Sequence, residues 1–468
     1  MAETSADRVA RIAAAALVCG AAFYVNDRFV LANFAGGADL LDTGWFAWIM
    51  AAGDPWLANP RSVSDLSYFN YHLTPYLSAI TVFVHAMGVD RFTAFALHQG
   101  LAFAAFAAGL CGLVLTAWSG ARSALLLLAV AVFALSGDVL LQVASFPHPE
   151  VAIIACCVLG SAFWQSRRFA WGAAAFVLAC TVREDGGLYA AAFLFGLAAL
   201  EPLSKRTLAS PPALLGAALV LVSLLMFWIK AAYFPGFAAF ATNYSGDGWR
   251  HLTQDSVRLR LGTFVQNPQA LTSILCAAVL ALATWRYLVF VVLMAPLIVA
   301  QLLAVRAPLW QFHSYYTFPF VVIWAGIVIV ATSRARRGSF RTVEAVVLVA
   351  FIVLGSGPVQ YLLRPPGWLP VAARAMVTSV GDLPAFAADL RSSIAAVPGA
   401  CVSTGVAAMI PDAVAAGEVI DTALGLAHCR TAFLFRGDLS YNALSWSVAL
   451  WPRGTTIDGR VERYDQRP

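Results

Sequence analysis

Five short segments of the chain carry carboxylate, imidazole, guanidinium and phenol groups between long apolar runs. A carboxylate within hydrogen-bond reach of a hydroxyl can take its proton, and cations or imidazoles can stabilise the charge on a phosphate leaving group. The sequence therefore predicts a polar site that combines a base with an anion-binding group. Its candidate residues are Asp39 and Asp42, His72, His148 and Glu150, Arg183 with Glu184 and Asp185, and His313 with Tyr315 and Tyr316.

Several of these residues also have plain structural explanations. Asp42 begins a helical segment, where a capping carboxylate contributes about 1 kcal/mol, and one residue can serve as both cap and catalyst. Interfacial hydrogen bonding accounts for His72 more readily than a ligand role does, and the helix dipole accounts for Glu150. An aromatic belt explains the two tyrosines of the fifth segment about as well as a site does. The charged run 183–185 has no room for a loop between its flanking apolar runs, which favours a functional role.

The composition excludes an ordinary soluble protein. Of the 468 residues, 60% are hydrophobic and 12% are charged, and the mean hydropathy is +0.76. So few charges could not cover the apolar surface of a fold in water, whereas lipid solvates the outer faces of membrane helices. The net charge of +5 comes from arginines in short loops, which indicate membrane topology rather than nucleic-acid binding. The sequence has no glycine-rich phosphate loop, so a soluble nucleotide donor is not indicated.

Apolar runs long enough, or nearly long enough, to span a bilayer recur along residues 1–368. The N-terminal run lacks a small-residue cleavage site and is predicted to be an uncleaved span. The predicted fold is an all-α polytopic membrane protein with about 11 to 12 transmembrane helices. The apolar runs are residues 10–32, 73–89, 92–118, 123–144, 149–165, 170–185, 186–203, 211–233, 270–285, 287–305, 316–333 and 341–363.

Basic residues in short loops predict the orientation of these spans. They occupy alternate loops, which are predicted to be cytoplasmic together with the N-terminus. The opposite, extracytoplasmic side receives the polar segments, a first loop at 34–71, a second loop at 234–268 and the chain after residue 363. Parity then predicts that the run 73–89 dips into the interface without crossing. The basic loops contain Arg167 and Arg168, Lys205 and Arg206, Arg286, and Arg334, Arg336, Arg337 and Arg341.

The first outward loop contains a helical signal of its own. Trp45, Trp48, Ile49 and Ala52 recur at helical spacing. This pattern predicts a helix in the membrane plane, with its aromatic face in lipid and Asp42 at its N-terminal end.

Residues 369–468 differ from the rest of the chain because they are richer in charge. Short β-like runs at 400–404 and 431–435 are separated by Gly, Pro and Asp turns, which predicts a small extracytoplasmic α/β module. Cys401 and Cys429 lie in this part, where an oxidising compartment would permit a disulfide, although two free thiols are the alternative. The other six cysteines fall in apolar runs and are predicted to be buried.

The five polar segments, in this order, resemble the pattern of a bacterial membrane-protein family known as domain of unknown function 2079, whose members look like C-type glycosyltransferases. That pattern runs Asp-Leu-Gly with aromatics, His-x-Ser/Thr-Pro, Phe-His-Pro-Glu, Lys-Glu-Asp, and a His/Tyr-rich segment before Pro-Phe. The resemblance covers roughly residues 30–325. Thr43 replaces Leu, Pro147 separates Phe146 from His148, and Arg183 replaces Lys, which keeps the charge but changes its geometry. The matching residues are Asp42-Thr43-Gly44, His72-Leu73-Thr74-Pro75, His148-Pro149-Glu150, Arg183-Glu184-Asp185, and His313 to Pro319-Phe320.

The resemblance implies an inverting glycosyltransferase in the bacterial cytoplasmic membrane. It would move a sugar from a polyprenyl-phosphate donor to a glycan, lipid or protein acceptor on the outer face. An acidic residue of the first outward loop acts on the acceptor in such enzymes, which points to Asp42, with Asp39 as second choice. Arg183, His148 and His313 are expected to bind the donor phosphate. The residues expected to orient these groups or to bind sugar hydroxyls are His72, Glu150, Glu184, Asp185, Tyr315 and Tyr316.

Other functions stay open on the sequence alone. A transporter or lipid flippase would also carry charges inside the bundle, although the long first loop and the lack of repeats count against it. A non-catalytic scaffold whose C-terminal module binds a partner is a third alternative. No cofactor is certain. A divalent metal held by His72, His148, His313 and Glu150 stays open, but their spacing is not that of a tight metal site.

Overall fold

The computed structural model describes residues 5–36, 41–57, 67–136, 147–201, 210–235, 249–312, 314–356, 379–421, 429–436 and 453–465. The described chain is helical up to residue 356, as the apolar runs predict, and ends in a small mixed module. Local sequence sets several helix starts. The Thr74 side chain accepts a hydrogen bond from the Leu77 N–H and Pro75 takes the first helical position, while Asp90 caps the next helix in the same way.

The helices before the module follow the predicted apolar runs closely. Short 3-10 turns lie at Tyr68–Asn70, Trp285–Leu288 and Ser314–Thr317. The α-helices are α1 (Ser5–Gly36), α2 (Leu41–Ala52), α3 (Pro75–Met87), α4 (Arg91–Ala117), α5 (Gly120–Ser136), α6 (Val151–Gln165), α7 (Phe169–Val182), α8 (Gly186–Leu200), α9 (Pro211–Tyr233), α10 (Gln254–Gln266), α11 (Pro268–Ala281), α12 (Val289–Leu302), α13 (Ala307–Trp310), α14 (Phe318–Arg336) and α15 (Thr342–Leu354).

Five helices of the described residues are long and apolar enough to cross a membrane, by length and composition. They are α1, α4, α9, α14 and the unit Trp285–Leu302 that contains α12, and a sixth is the pair α10–α11 if this pair, bent by 66°, counts as one span. The other apolar helices are shorter. A helix of 13 to 15 residues, such as α3, α6, α7 or α8, is about 20 to 22 Å long, less than the roughly 30 Å of a hydrocarbon core. The larger count of spans stays a prediction.

The bundle has one end at which the predicted cytoplasmic loops meet, here called the basic end. Arg336 donates to the Gln165 carbonyl, and Arg337 Nη2 donates to the Leu200 carbonyl at 2.5 Å. At the same end, Arg11 Nη1 donates to the Trp118 carbonyl at 2.8 Å. Loops far apart in sequence are therefore joined by their arginines. Tracing α6, α7 and α8 from this end leads to the polar segments at the other end.

The core of the bundle lies around α4 and α14. In α14, 83% of the most apolar stretch is buried, compared with 22% in α1. The α14 sequence is apolar all round the helix from Phe318 to Ala331, which is typical of a helix surrounded by others. These two helices form the frame on which the shorter helices of the polar end are packed.

The second predicted loop, 234–268, contains a helix in its C-terminal part, because residues 254–266 form α10. The Thr253 side chain caps this helix, accepting from the Ser256 N–H at 3.2 Å. Arg260 then anchors it, donating to the carbonyls of Leu302 at 2.8 Å and Ala304 at 2.5 Å at the end of α12. Two of the polar residues that made the segment resemble a loop therefore stabilise a helix: Thr253 caps it and Arg260 anchors it. Residues 236–248 of the predicted loop lie outside the described part.

The C-terminal module combines three further helices, α16 (Leu383–Ala395), α17 (Thr404–Met409) and α18 (Pro411–Ala415), with five strands, β1 (Ala400–Val402), β2 (Val419–Asp421), β3 (Thr431–Phe435), β4 (Arg453–Ile457) and β5 (Val461–Asp465). The strand order is β2-β1-β3-β5-β4. Strands β2, β1 and β3 are parallel, whereas β5 and β4 are antiparallel to their neighbours. The α/β character and the strands at 400–402 and 431–435 follow the sequence prediction.

Helix α2 lies between the bundle and this module rather than with its aromatic face in lipid. Trp45 and Ile49 are buried, so the predicted lipid-facing stripe is wrong. The helix packs on α3 and α4 on one side and on α17 on the other. A Cβ at Gly44 would lie 2.7 Å from the Ala408 Cα, so only glycine permits this approach. The aromatic spacing has the same period as a lipid-facing stripe, but the fold buries Trp45 and Ile49 of that stripe.

Cys401 and Cys429 are joined in a disulfide, with Cα atoms 5.7 Å apart and a sequence separation of 28. The bridge ties β1 to the residues that precede β3. A loop of this length corresponds to roughly 3 to 4 kcal/mol in the chain-entropy account of disulfides. Replacing both cysteines by serine should lower the free energy of unfolding of the module by about this amount. Limited proteolysis across a urea series would measure it, and an unchanged midpoint would contradict the expectation.

Candidate functional site

Three of the five predicted polar segments converge at the end of the bundle opposite the basic end. They are the turn before α3, the turn before α6 and the turn between α7 and α8. Their side chains form a group that we call the charged cluster. Its members are His72, His148, Glu150, Arg183, Glu184, Asp185 and, from α9, Lys230.

Glu184 is buried and receives two hydrogen bonds from the segment before α3. His72 Nδ1 lies 2.8 Å from Glu184 Oε1, and the Leu73 N–H donates to Glu184 Oε2 at 2.9 Å. Glu184 therefore fixes the main chain at the start of α3 as well as the imidazole. His72 has the hydrogen-bonding role that its position suggested, and its partner is a buried carboxylate.

Glu150 and Arg183 connect the other two segments. His148 Nδ1 lies 3.1 Å from Glu150 Oε2, and Arg183 Nη1 lies 3.4 Å from Glu150 Oε1. Arg183 also forms a bidentate pair with Asp185, through Nε to Oδ1 at 2.7 Å and Nη2 to Oδ2 at 2.6 Å. Glu150 and Asp185 stand at the starts of α6 and α8 without capping them through their side chains. Their carboxylates serve the cluster instead.

The two buried glutamates share their basic partners. His72 and Arg183 interact electrostatically with Glu184. His148, Arg183 and His72 interact with Glu150 in the same way. Because His72 acts on both glutamates, the three segments form one electrostatic unit.

The glycines that follow the charged run explain how it is positioned. A Cβ at Gly186 would lie 2.2 Å from the Ala179 carbonyl oxygen of α7, and one at Gly187 would lie 2.5 Å from the Leu219 carbonyl oxygen of α9. Because glycine has no Cβ, α8 can start in close contact with both neighbouring helices. The run Arg183–Asp185 is thereby held in a tight turn.

Helix α2 lies beside the cluster. The Phe46 ring contacts the His148 ring edge to face, with centroids 4.9 Å apart. Asp42 is the second residue of α2, one helical turn before Phe46, in the first turn where a carboxylate is favourable. The start of α2 is therefore close to the cluster in the fold.

Several predicted site residues fall outside the described part. They are Asp39, His313, and the side chains of Asp42 and Tyr315. Tyr316 is described, and it is half-buried in the 3-10 turn ahead of α14.

Sequence reasoning missed Lys230. This residue belongs to the last turn of α9, is 8% exposed, and lies close enough to Glu184 for a direct electrostatic interaction. A lysine in the last turn of an apolar helix is normally explained by the helix dipole or by snorkelling. The signal that could have identified it is the apolar residues that continue after it, Ala231 to Phe234, which leave the ammonium within the hydrophobic stretch.

One apolar groove borders the cluster, and a second lies near it. The first, the Asp185 groove, has a volume of about 400 Å³ and lies between α8, α9 and α12, with Asp185 in its lining. The second, the His98 groove, has a volume of about 470 Å³ and lies between α3, α4 and α6. Its polar groups are Tyr76 and His98, whose Oη and Nε2 atoms are 3.0 Å apart. Gln99 links it to the cluster by donating to the His148 carbonyl at 2.8 Å.

The cluster can pair anions with its cations and can accept protons from hydroxyl groups. Among the described residues, no group of three or more His, Cys, Asp or Glu side chains is arranged to hold a metal ion. The metal candidate His313 lies outside that part.

Comparison of the chain with protein-family models, with characterised proteins and with solved structures finds no match. The resemblance to domain of unknown function 2079 and to C-type glycosyltransferases therefore stays a prediction.

Proposed function

We propose that the chain is a membrane glycosyltransferase that moves a sugar from a polyprenyl-phosphate donor to an envelope acceptor on the extracytoplasmic face of a bacterial cytoplasmic membrane. The observation that carries this proposal is the buried charged cluster, which borders directly on the apolar Asp185 groove. A donor of this class has a phosphate between a sugar and a long apolar chain. The site offers charged groups beside an apolar groove, which suits the phosphate and the apolar chain of such a molecule.

In the proposed reaction an acceptor hydroxyl oxygen bonds to the anomeric carbon as the bond from that carbon to the phosphate oxygen breaks. Polyprenyl phosphate leaves with the electron pair, the hydroxyl proton passes to the Asp42 carboxylate, and the anomeric configuration is inverted. Attack on one face and departure from the other require the base and the phosphate site to lie on opposite sides of the sugar. The start of α2 and the Arg183 turn are the elements assigned to these two sides.

The phosphate is assigned to Arg183, Lys230 and the imidazoles. Arg183 and Lys230 are basic side chains with little exposure, so their interactions with an anion are weakly screened by water. The imidazoles of His72 and His148 lie beside these basic groups, each in contact with a buried glutamate. A negative leaving group would then be stabilised as it forms. The carboxylates keep the imidazoles and the guanidinium in place.

The proposed architecture is a polytopic bundle related to the C-type glycosyltransferases, with the basic end in the cytoplasm and the module outside. Helices α6, α7 and α8 are shorter than the hydrocarbon core is thick. Their polar ends would therefore lie at membrane depth, where a lipid-borne phosphate resides. Helix α3 starts at the cluster and leads to Arg91, which donates to Met409 of the module. This supports a dip at 73–89 rather than a crossing.

The proposed function predicts what a deletion strain should accumulate. Mass spectrometry should find a polyprenyl-phosphate sugar increased in its membranes and one sugar unit missing from an envelope glycan. A plasmid with the intact gene should restore both. Unchanged lipid-linked sugars and unchanged glycans would contradict the proposal.

A transporter or flippase would instead change the side of the membrane on which a substrate is found. This is measured by the accessibility of that substrate from outside the cell.

The proposed sidedness has its own test. Single cysteines replacing His313 or residues in 240–260 should react with a membrane-impermeant maleimide in intact cells. Cysteines at Arg168 or Arg337 should react only after permeabilisation. The background would lack the six cysteines outside the disulfide. Reaction of both groups from the same side would contradict the proposed topology.

A further inference from the structure

A third cavity, a cleft of about 440 Å³, lies between the bundle and the C-terminal module. Trp48 lines it from α2, and Asp90 and Arg91 line it from the start of α4. Arg391 of α16 and Asp412 of α18 form the opposite wall. The cleft is therefore lined by one indole, two guanidinium groups and two carboxylates, with apolar residues between them.

The walls of the cleft are held in place by bonds of their own. The Arg91 guanidinium donates to the Met409 carbonyl, which joins the two walls. Arg391 pairs with Asp412 and, at 3.2 Å, with Glu418. The Asp90 carboxylate accepts from the N–H groups of the first turn of α4. The cleft is thus preformed and would not have to be ordered by a ligand.

The lining has the chemistry of a carbohydrate site. The apolar face of a sugar ring packs on a flat indole, and sugar hydroxyls donate to carboxylates and accept from guanidinium groups. The side chains of Arg391 and Asp412 are 36% and 46% exposed, so both reach the cleft although they are paired. Four charged groups disfavour a lipid chain, and the two carboxylates disfavour a polyanion such as a nucleic acid.

The position of the cleft connects it to the charged cluster. Trp48, which lines the cleft, is two residues from Phe46, whose ring contacts His148. The single helix α2 therefore contacts both sites. A chain of sugars held at Trp48 would lie one helix away from the cluster.

We propose that this cleft binds the carbohydrate part of the acceptor, at a subsite apart from the hydroxyl that is glycosylated. The proposal rests on the proposed function, because it names the acceptor class of the same enzyme as a glycan. Binding at a remote subsite supplies affinity without taking part in bond formation. Its loss should therefore raise KM for the acceptor and leave kcat nearly unchanged.

The test uses the full chain in nanodiscs and an array of bacterial envelope oligosaccharides as the probe. The protein should bind a subset of them, and Trp48→Ala should weaken the binding of the tightest one by tenfold or more. Trp48→Phe, which keeps an aromatic ring, should recover most of the affinity. Trp56→Ala is the matched control, because Trp56 is 67% exposed and does not line the cleft.

Three outcomes separate this proposal from the proposed function. Binding by the intact chain that falls in Trp48→Ala but not in Trp56→Ala supports the cleft, even if no sugar transfer is found. Absence of oligosaccharide binding by the intact chain overturns it. Equal binding by the intact chain and Trp48→Ala also overturns it, whatever the transfer activity is.

Discussion

Asp42→Asn should leave the chain folded and reduce sugar transfer by roughly a hundredfold or more. Asparagine has nearly the same shape as aspartate, so the start of α2 should keep its structure. The substitution removes the negative charge and with it the capacity to accept a proton. If Asp42 only stabilises the first turn of α2, the variant should work almost normally, so the two roles give results that differ by two orders of magnitude.

Transfer would be measured with purified protein, a polyprenyl-phosphate sugar and the acceptor found in the deletion strain. Binding of the donor lipid should be unchanged, because the proposed donor site lies in the cluster and the Asp185 groove. Asp39→Asn is the neighbouring control and should cost less. Near-normal transfer by Asp42→Asn would end the assignment, and the base would then be sought at Glu150 or Asp185.

The structural basis for this expectation is the position of α2. The helix is clamped between α4 and α17, where Gly44 meets Ala408, and it contacts His148 through Phe46. A base at its start would be carried by a rigid element rather than by a loose loop. A general base needs such an arrangement, because it must be held within hydrogen-bond distance of the proton that it accepts.

The helices were predictable because a helix that is buried in lipid or in a bundle must be apolar along its length. The run 211–233 and helix α9 coincide, and the runs at 92–118 and 149–165 differ from α4 and α6 by one or two residues. Prolines and capping residues indicate where helices start, as Thr74 and Pro75 do for α3. These are local signals, so no tertiary information was needed.

The sequence predicted that the three polar segments share one face of the membrane, but not which side chains pair with each other. Charges such as those of Arg183 and Glu184 between apolar runs must find partners, and orientation placed them on the face that holds His148. Their pairing, with Glu184 on His72 and Arg183 on both Asp185 and Glu150, depends on how α6, α7 and α8 pack. No spacing in the sequence encodes that packing.

Three features were missed because their causes are distant in sequence. Lys230 has a conventional explanation until α9 is seen to end beside Glu184. Helix α10 reads as a polar loop until Arg260 is seen to bond the end of α12. The position of α2 depends on a module that begins more than three hundred residues later, where Ala408 meets Gly44. In each case the structural role of the residue depends on a contact with a distant part of the chain.

Arg183→Gln should reduce transfer by roughly a hundredfold or more, whereas Arg183→Lys should stay within about tenfold of the native rate. Lysine keeps the positive charge that a phosphate requires and stands at this position in the pattern that the chain resembles. It loses the two-pronged bond to Asp185, which accounts for a moderate loss. Glutamine removes the charge altogether. Initial rates at saturating donor and acceptor would measure both effects.

Loss of stability must be separated from loss of phosphate binding, because removing one partner of a buried pair costs about 3 to 5 kcal/mol. The double variant Arg183→Gln with Asp185→Asn removes the unpaired carboxylate and should recover most of that stability in a thermal unfolding measurement. Asp185→Asn alone shows whether Asp185 is needed for transfer. If it is not, a stable but inactive double variant assigns Arg183 to the phosphate. A stable double variant with native transfer would instead make Arg183 a structural residue, and the leaving group would have to be stabilised by Lys230 and the imidazoles.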